Sequence, residues 1–161
     1  MIYRIASTKD YKQIIMMKNR VKERVIKENL PIWLNGYPLD EMIVEDIENN
    51  YGRVIEIENK IVAYAAFHPS YIDYEGYIEN ITKYYSYGRV MVDDGCTGLG
   101  IGKYLITNMI NEAKSLNQKG LIIAADDCNI RAVNLYKSVG FTKIDEIAFP
   151  YAYLSIFKLE F

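Results

Sequence analysis

Residues 95–103 read Gly-Cys-Thr-Gly-Leu-Gly-Ile-Gly-Lys, so four of the ten glycines in the chain fall within eight positions. The stretch stands between a strand-like segment at 85–92 and a predicted amphipathic helix at 103–117. Glycines at such a junction let the backbone approach a ligand closely, and the start of a helix offers unpaired N–H groups and a positive dipole end. The stretch therefore predicts a binding site for a pyrophosphate.

Two common phosphate-binding loops do not fit this stretch. A Walker A loop needs glycine five residues before its Gly-Lys pair and Ser or Thr after it, but Thr97 and Tyr104 occupy those positions. A dinucleotide-binding fingerprint needs glycine in the place of Lys103 and belongs to the first strand of a parallel unit, whereas this stretch follows the fourth predicted strand. The stretch is therefore interpreted as a loop that binds a different phosphate-bearing ligand.

Hydrophobic periodicity predicts seven strands and four helices. Strands are predicted at 2–6, 54–57, 61–67, 85–92, 121–125, 141–149 and 152–161, and helices at 11–25, 39–48, 103–117 and 129–139. Ser7 and Asp10 have the spacing of a capping box before the first helix. Residues 71–84 are interpreted as a long loop with one helical turn. This order of elements predicts an α/β (α+β) fold, a mixed sheet with helices on both faces.

Length and composition limit the class of protein. The chain has 161 residues, half of them hydrophobic and a quarter charged, and its net charge is −2. This composition is typical of one globular domain, here residues 1–161, and the charge balance does not favour nucleic-acid binding. The longest apolar runs are far shorter than the ~20 residues of a membrane span, and residues 1–5 do not resemble a signal peptide. We therefore expect a soluble, cytoplasmic protein that does not bind membranes.

The glycine-rich stretch is similar to the acyl-coenzyme A loop of the GNAT acetyltransferase superfamily, which reads Arg/Gln-x-x-Gly-x-Gly/Ala. Residues 88–93, Gly-Arg-Val-Met-Val-Asp, resemble the fourth strand of that family. Residues 129–141 resemble its second motif, Asn-x-x-Ala-x-x-x-Tyr-x-x-x-Gly-Phe, with all five defining residues at the right spacing. The chain departs from the pattern at Thr97, where the family usually has Arg or Gln. The resemblance implies a GNAT-like fold, with a mixed and mostly antiparallel central sheet of about seven strands, and acetyl-CoA as the acetyl donor.

The resemblance also implies where acetyl-CoA binds. A bulge in the fourth strand frees backbone N–H groups for the pantetheine and the thioester carbonyl, here near Met91 and Val92. Asn129, Ala132 and Tyr136 are three and four residues apart and share one helix face, which suits a helix lying along the cofactor, although the same face suits core packing. The loop residues expected to bind the pyrophosphate are Thr97, Gly98, Leu99, Gly100, Ile101, Gly102 and Lys103.

Acetyl transfer to an amine needs a deprotonated amine, donors for the oxyanion and a proton for the departing thiolate. In the family the tyrosine of the second motif, here Tyr136, usually serves as the general acid. Many relatives carry a glutamate on the fourth strand where this chain has Ser86. The base is therefore open between Glu79 and an ordered chain of water molecules.

Other reactive side chains are interpreted as structural. His68, the single histidine, is expected to be structural or exposed, and Asp93 and Asp94 to be turn and helix-start residues. Cys96 and Cys128 have no histidine placed to activate them, so we expect small-residue packing, no disulfide framework and no metal site. Without a cysteine nucleophile, direct transfer in a ternary complex is predicted.

The sequence indicates less about the acceptor substrate than about the cofactor. Trp33 and Tyr37 lie between the first two helices, a region that lines the acceptor pocket in this superfamily. Tyr74 belongs to the loop at 71–79, whose interleaved acids and tyrosines suit a cationic amine, unless this loop is a solvated surface.

The sequence thus predicts an N-acetyltransferase that acts on a primary amine of a small molecule or a protein. The first alternative is a non-catalytic acyl-CoA-binding sensor that has kept the loop and lost the chemistry. A nucleotide-binding protein is a weaker alternative, and a homodimer is left open.

Overall fold

The structure, a computed structural model, describes residues 1–69, 80–149 and 152–161. Within these ranges the predicted series of seven strands and four helices is confirmed. The strands are β1 (Ile2–Ile5), β2 (Gly52–Ile57), β3 (Lys60–Pro69), β4 (Tyr84–Val92), β5 (Gly120–Asp126), β6 (Thr142–Phe149) and β7 (Ala152–Glu160). The helices are α1 (Tyr11–Lys27), α2 (Asp40–Glu48), α3 (Ile101–Ser115) and α4 (Ile130–Ser138). Short 3-10 turns occupy Thr8–Asp10 and Ile81–Lys83.

The strands form one sheet in the order β1-β2-β3-β4-β5-β7-β6. β4 and β5 are parallel, with Tyr84 opposite Gly120, and α3 connects them as a parallel pair requires. The pairs β1–β2, β2–β3, β5–β7 and β6–β7 are antiparallel. The predicted mixed and mostly antiparallel sheet is therefore confirmed.

The structure shifts both ends of α3 relative to the prediction. The helix begins at Ile101 rather than at residue 103, because Gly100 adopts a left-handed φ of 78° and its carbonyl accepts the Tyr104 N–H at 2.9 Å. It ends at Ser115, and Asn117 is left-handed. Leu116, which periodicity places on the buried stripe, lies beyond the last turn and is 45% exposed.

Packing divides the chain into two compact units, of which the first comprises Met1–Ala66 and Arg89–Leu105. Its core is built by the apolar faces of α1 and α2 against β2, β3 and β4. The buried residues are Ala6, Ile14, Met17, Val21, Val25, Ile43, Ile47, Val54, Ile61, Tyr64 and Met91. The spacing of the α1 residues follows the helical period, which is why the sequence locates this face correctly.

The second unit comprises Phe67–Gly88 and Ile106–Phe161. Leu121, Ile122 and Ile123 of β5 are each at most 2% exposed, as their uninterrupted apolar run predicts. Ile122 packs in a cluster with Ile81, Tyr84, Ile147 and Ile156. In the parts of the chain that the structure describes, no helix is long and apolar enough to cross a membrane.

Candidate active site

β4 leads into the glycine-rich loop and contains a backbone irregularity. Arg89 has a φ of 52°, and among the described residues it is the one non-glycine residue inside a strand with a left-handed backbone. The family resemblance implies a bulge that frees N–H groups near Met91 and Val92, and the left-handed residue lies two residues before Met91. The Met91 side chain is buried in the core of the first unit, and Val92 is half-buried.

A buried ion pair that the sequence analysis missed holds Arg89. The guanidinium donates to both carboxylate oxygens of Asp46 on α2, with Nε–Oδ2 at 2.9 Å and Nη2–Oδ1 at 2.6 Å. The Tyr64 hydroxyl of β3 donates to the same Oδ2 at 2.6 Å. The Arg89 and Asp46 side chains are only 10% and 2% exposed. The three residues therefore link α2, β3 and β4 through one buried carboxylate.

The end of β4 is also tied to α1. The Arg20 guanidinium donates to both oxygens of Asp93, with Nε–Oδ1 at 2.8 Å and Nη2–Oδ2 at 2.9 Å, and this raises the pKa of Arg20. Arg24 pairs with Asp94 and also donates to the Val92 carbonyl at 3.3 Å. Both carboxylates are engaged by arginine in the turn after β4. They are not the helix-start residues that the sequence also predicted, because α3 begins only at Ile101.

The glycine-rich loop presents its backbone to open space. Gly98 and Gly100 have φ values of 77° and 78°, and a Cβ added to either would meet no atom within 4 Å. Residues 97–100 are exposed, as is Lys103, and the Leu99 side chain is 68% exposed. The first N–H groups of α3 have no partner within the helix. This open surface, with N–H donors and a positive dipole end, fits the pyrophosphate of acetyl-CoA.

α4 begins at the cap that its motif predicts. Asn129 Oδ1 accepts the Ala132 N–H at 3.3 Å, so the asparagine stabilises the first turn. Val133 and Tyr136 are the buried residues of this helix, and Asn129 and Ala132 are half-buried.

The Tyr136 ring is fixed by three aromatic neighbours in the second unit. It meets Tyr87 edge to face with ring centroids 5.8 Å apart and Phe157 at 6.0 Å, and it is tilted against Phe141 at 6.3 Å. The Tyr87 hydroxyl is buried and has no hydrogen-bond partner among the residues that the structure describes. Burial raises the pKa of the Tyr87 phenol well above its usual range, and the nearby Tyr136 adds to this. Tyr87 therefore packs as an apolar ring.

The structure describes some of the side chains considered for proton transfer and nucleophilic attack. Ser86 is fully buried on β4, opposite Ile122 of β5, and His68 is half-buried on β3. Burial, with a hydrogen bond to Asp126 as the next cause, raises the pKa of the Cys128 thiol to about 11. Cys128 is therefore a protonated thiol at neutral pH, in agreement with a packing role. No cluster of metal-binding side chains is found in residues 1–69, 80–149 or 152–161.

The structure describes two of the three residues that are predicted to contact the acceptor. Trp33, with a φ of 55°, packs against the core of the first unit, and Tyr37 is half-buried. Lys22 Nζ donates to the Gly36 carbonyl at 2.7 Å, which fixes the segment between α1 and α2. Tyr74 and Glu79 lie outside the described residues, so their predicted roles stay predictions.

Comparison with known proteins identifies the family to which the chain belongs. The chain belongs to the GNAT family of acetyltransferases, because the model of the acetyltransferase (GNAT) family matches residues 22–141. This family uses acetyl-CoA as the acetyl donor. A search of curated protein sequences finds no match.

Solved structures share the fold over nearly the whole chain. A GNAT-family acetyltransferase from Streptococcus agalactiae 2603 superposes with a TM-score of 0.89 at 16% identity, covering 99% of this chain and 95% of that one. The ribosomal-protein-alanine N-acetyltransferase of Brucella melitensis gives 0.77 at 22% identity and covers 100% of both chains. The protein yncA of Salmonella typhimurium, solved with its cofactor acetyl-CoA, gives 0.75 at 19% identity and covers 99% of this chain and 93% of that one.

Proposed function

We propose that this chain transfers the acetyl group of acetyl-CoA to a primary amine, of a small molecule or a protein, by direct transfer in a ternary complex. The proposal rests on the open backbone of Gly98 and Gly100 directly before α3, together with membership of the family. Acetyl-CoA supplies a thioester whose acyl carbon an amine can attack. The chain's own residues have to bind this thioester, stabilise the oxyanion and move two protons.

The loop from Thr97 to Lys103 is proposed to bind the pyrophosphate. Its backbone N–H groups and the start of α3 attract an anion without any particular side chain. Thr97 can therefore replace the arginine or glutamine that the family usually has at this point. The exposed Lys103 adds a positive charge to the first turn.

Two further groups of residues are proposed to orient the rest of acetyl-CoA. The backbone of Met91 and Val92 would bind the pantetheine, and the Val92 N–H would donate to the thioester oxygen as it gains charge. Ala132 offers a small side chain on the motif face of α4. Asn129 stabilises the first turn of this helix, because its side-chain oxygen accepts the Ala132 N–H.

Tyr136 is proposed as the general acid. A phenol is protonated at neutral pH and can donate its proton to a departing thiolate. The rings of Tyr87, Phe141 and Phe157 fix the orientation of the Tyr136 ring. The Tyr136 hydroxyl is therefore held in place before the reaction begins.

The acceptor and the base are proposed from the sequence. Trp33 and Tyr37 would contact the acceptor from the segment between α1 and α2, and Tyr74 from the acidic segment 71–79. Glu79 or an ordered chain of water molecules would remove the amine proton. No cysteine intermediate is proposed, because no histidine in the sequence is placed to activate Cys96 or Cys128, and burial raises the pKa of the Cys128 thiol.

Release of coenzyme A in the presence of different amines distinguishes an enzyme from a sensor. The panel should contain a polyamine, free amino acids and a peptide with an N-terminal alanine, the last because the Brucella melitensis neighbour is named for that acceptor. We expect at least one amine to raise the rate of release well above hydrolysis. Binding of acetyl-CoA without turnover on any amine would instead favour the sensor.

A further inference from the structure

Arg89, the left-handed residue inside β4, has a backbone conformation that is unusual for an arginine. Nine non-glycine residues among those described have positive φ values, and six of them are asparagines in turns or loops. Asparagine tolerates this conformation, whereas a long side chain such as arginine rarely adopts it. Such a backbone persists only where the surrounding structure holds it, and it is concentrated at functional sites.

The contacts of the Arg89 side chain explain what holds this backbone. Its two hydrogen bonds to Asp46 form a planar fork that fixes both the position and the orientation of the guanidinium. Asp46 is itself fixed by the Tyr64 hydroxyl and by its place in α2, where the Tyr51 N–H donates to the Asp46 carbonyl at 2.7 Å. The chain at Arg89 is thus anchored to two neighbouring elements of the first unit.

Helix packing alone does not explain why Asp46 is buried there. An acidic residue near the C-terminus of a helix opposes the helix dipole, and α2 has no basic residue in its last turn. A buried carboxylate is also costly unless it is paired and hydrogen-bonded. Arg89 supplies that pairing charge, so each member of the pair requires the other.

We infer that Arg89 and Asp46 act as a positioning pair that sets the backbone of β4 from Arg89 to Val92, so that the Val92 N–H, on the edge of β4 away from β3, is aimed at the thioester. This inference rests on the proposed function. Neither side chain touches the reacting atoms in this interpretation. The pair acts through the conformation of the strand.

Glycine and methionine replacements of Arg89 separate this role from a merely stabilising one. Arg89→Met with Asp46→Asn removes both charges and leaves a side chain that disfavours positive φ. Arg89→Gly with Asp46→Asn also removes both charges, but glycine adopts the left-handed conformation freely. A stabilising role alone predicts that the glycine variant is the worse of the two, because it loses more packing.

The expected result is a loss of rate without a loss of cofactor binding. The methionine variant should lower kcat roughly 10- to 100-fold, as small misplacements at a reacting centre do, and leave the affinity for coenzyme A within about threefold. The glycine variant should recover part of this loss. Equal kcat in the methionine variant and the parent, or a lower kcat in the glycine variant, would overturn the inference.

Amide hydrogen exchange at Val90, Met91 and Val92 tests the same pair without any substrate. We expect exchange roughly tenfold or more faster in the methionine variant and an intermediate rate in the glycine variant. Unchanged exchange would overturn the inference even if no amine proves to be a substrate, whereas absence of turnover in the parent concerns only the proposed function.

Two further variants complete the test. Arg4→Met with Asp10→Asn removes a similar arginine–carboxylate fork elsewhere in the first unit, with hydrogen bonds of 2.7 and 2.8 Å. It should leave kcat unchanged and should not speed exchange in β4 more than its loss of global stability does. Arg89→Lys keeps the buried charge and loses the planar fork, so it serves if the double variants do not fold. It should give faster exchange than the parent, and parent-like exchange would count against the pair.

Discussion

The ring of Tyr87 meets the ring of Tyr136 edge to face, with centroids 5.8 Å apart and planes at 81°. The hydroxyl of Tyr87 plays no part in this contact, because the interaction arises between the aromatic rings themselves. Phe141 and Phe157 enclose the Tyr136 ring further. The position of Tyr136 should therefore survive removal of its hydroxyl, and this makes the role of that hydroxyl testable.

Tyr136→Phe should lower turnover by about 10²–10⁴-fold, the usual range for loss of a general acid. Affinity for acetyl-CoA should be unchanged, because the ring and its aromatic neighbours remain. Steady-state release of coenzyme A together with calorimetric binding measures both quantities. Tyr153→Phe, on a tyrosine of β7 that is 54% exposed, is the matched control and should behave like the parent. Full activity of Tyr136→Phe would exclude the role of general acid.

Two other tyrosine-to-phenylalanine changes should shift stability in opposite directions. Tyr87→Phe removes a buried hydroxyl without a partner among the described residues, so the free energy of unfolding should rise by about 1 kcal/mol. Tyr64→Phe removes a hydrogen bond to the buried carboxylate of Asp46, so the same quantity should fall by about 1.5–3 kcal/mol. Urea unfolding measures both, and shifts of the same sign would contradict the structure.

Asp10 should make stability depend on pH. Hydrogen bonds from Arg4 are the main cause that lowers the pKa of this carboxyl from its usual 3.8 to about 2, and the Ser7 N–H adds to it. Because the folded pKa lies below the unfolded one, the ionised carboxylate contributes about 2 kcal/mol above pH ~4, and this is lost as pH falls towards 2.

Asp10→Asn should therefore lower the free energy of unfolding at neutral pH, and the difference from the parent should vanish near pH 2. Unfolding at a series of pH values measures this difference. Asp127→Asn, which breaks a largely exposed pair with Lys143, is the control and should have an effect of at most about 1 kcal/mol. A difference between Asp10→Asn and the parent that does not change with pH would show that the carboxylate charge is not responsible.

The acidic segment 71–79 should select cationic acceptors if it belongs to the acceptor site. Replacement of Asp73, Glu75 and Glu79 by their amides together should raise the KM for a polyamine roughly threefold or more, because one ion pair in contact with water contributes ~0.2–1 kcal/mol. The increase should shrink at high salt, and the KM for acetyl-CoA should not change. A fall in kcat with an altered pH profile in Glu79→Gln alone would identify the base. Parent-like kinetics of the triple variant would make this segment a solvated surface.

Local patterns in the sequence predicted much of the fold and part of the candidate site. The helical period of Ile14, Val21 and Val25 located the core face of α1, and the motif at Asn129 located the start of α4. These features depend on residues close together in the chain.

The Arg89–Asp46 pair could not be predicted in the same way. It joins residues 43 positions apart, and nothing in either local sequence indicates a partner. The left-handed backbone of Arg89 has the same origin, since it depends on a tertiary contact rather than on the preference of arginine. The bulge expected near Met91 and Val92 came from the family resemblance alone, and no local pattern indicated a left-handed backbone at Arg89.

Calorimetric titration of acetyl-CoA into the parent, Gly100→Asp and Gly100→Asn decides whether the glycine loop binds the pyrophosphate. Both side chains strain a residue with a φ of 78° to a similar degree and extend into the same open space, so their difference isolates the charge. A negative charge about 4 Å from a phosphate costs on the order of 1–4 kcal/mol at the dielectric constants of a protein surface. The parent should bind, and Gly100→Asp should bind at least roughly tenfold more weakly than Gly100→Asn. Equal affinity of all three proteins for acetyl-CoA would contradict pyrophosphate binding at this loop.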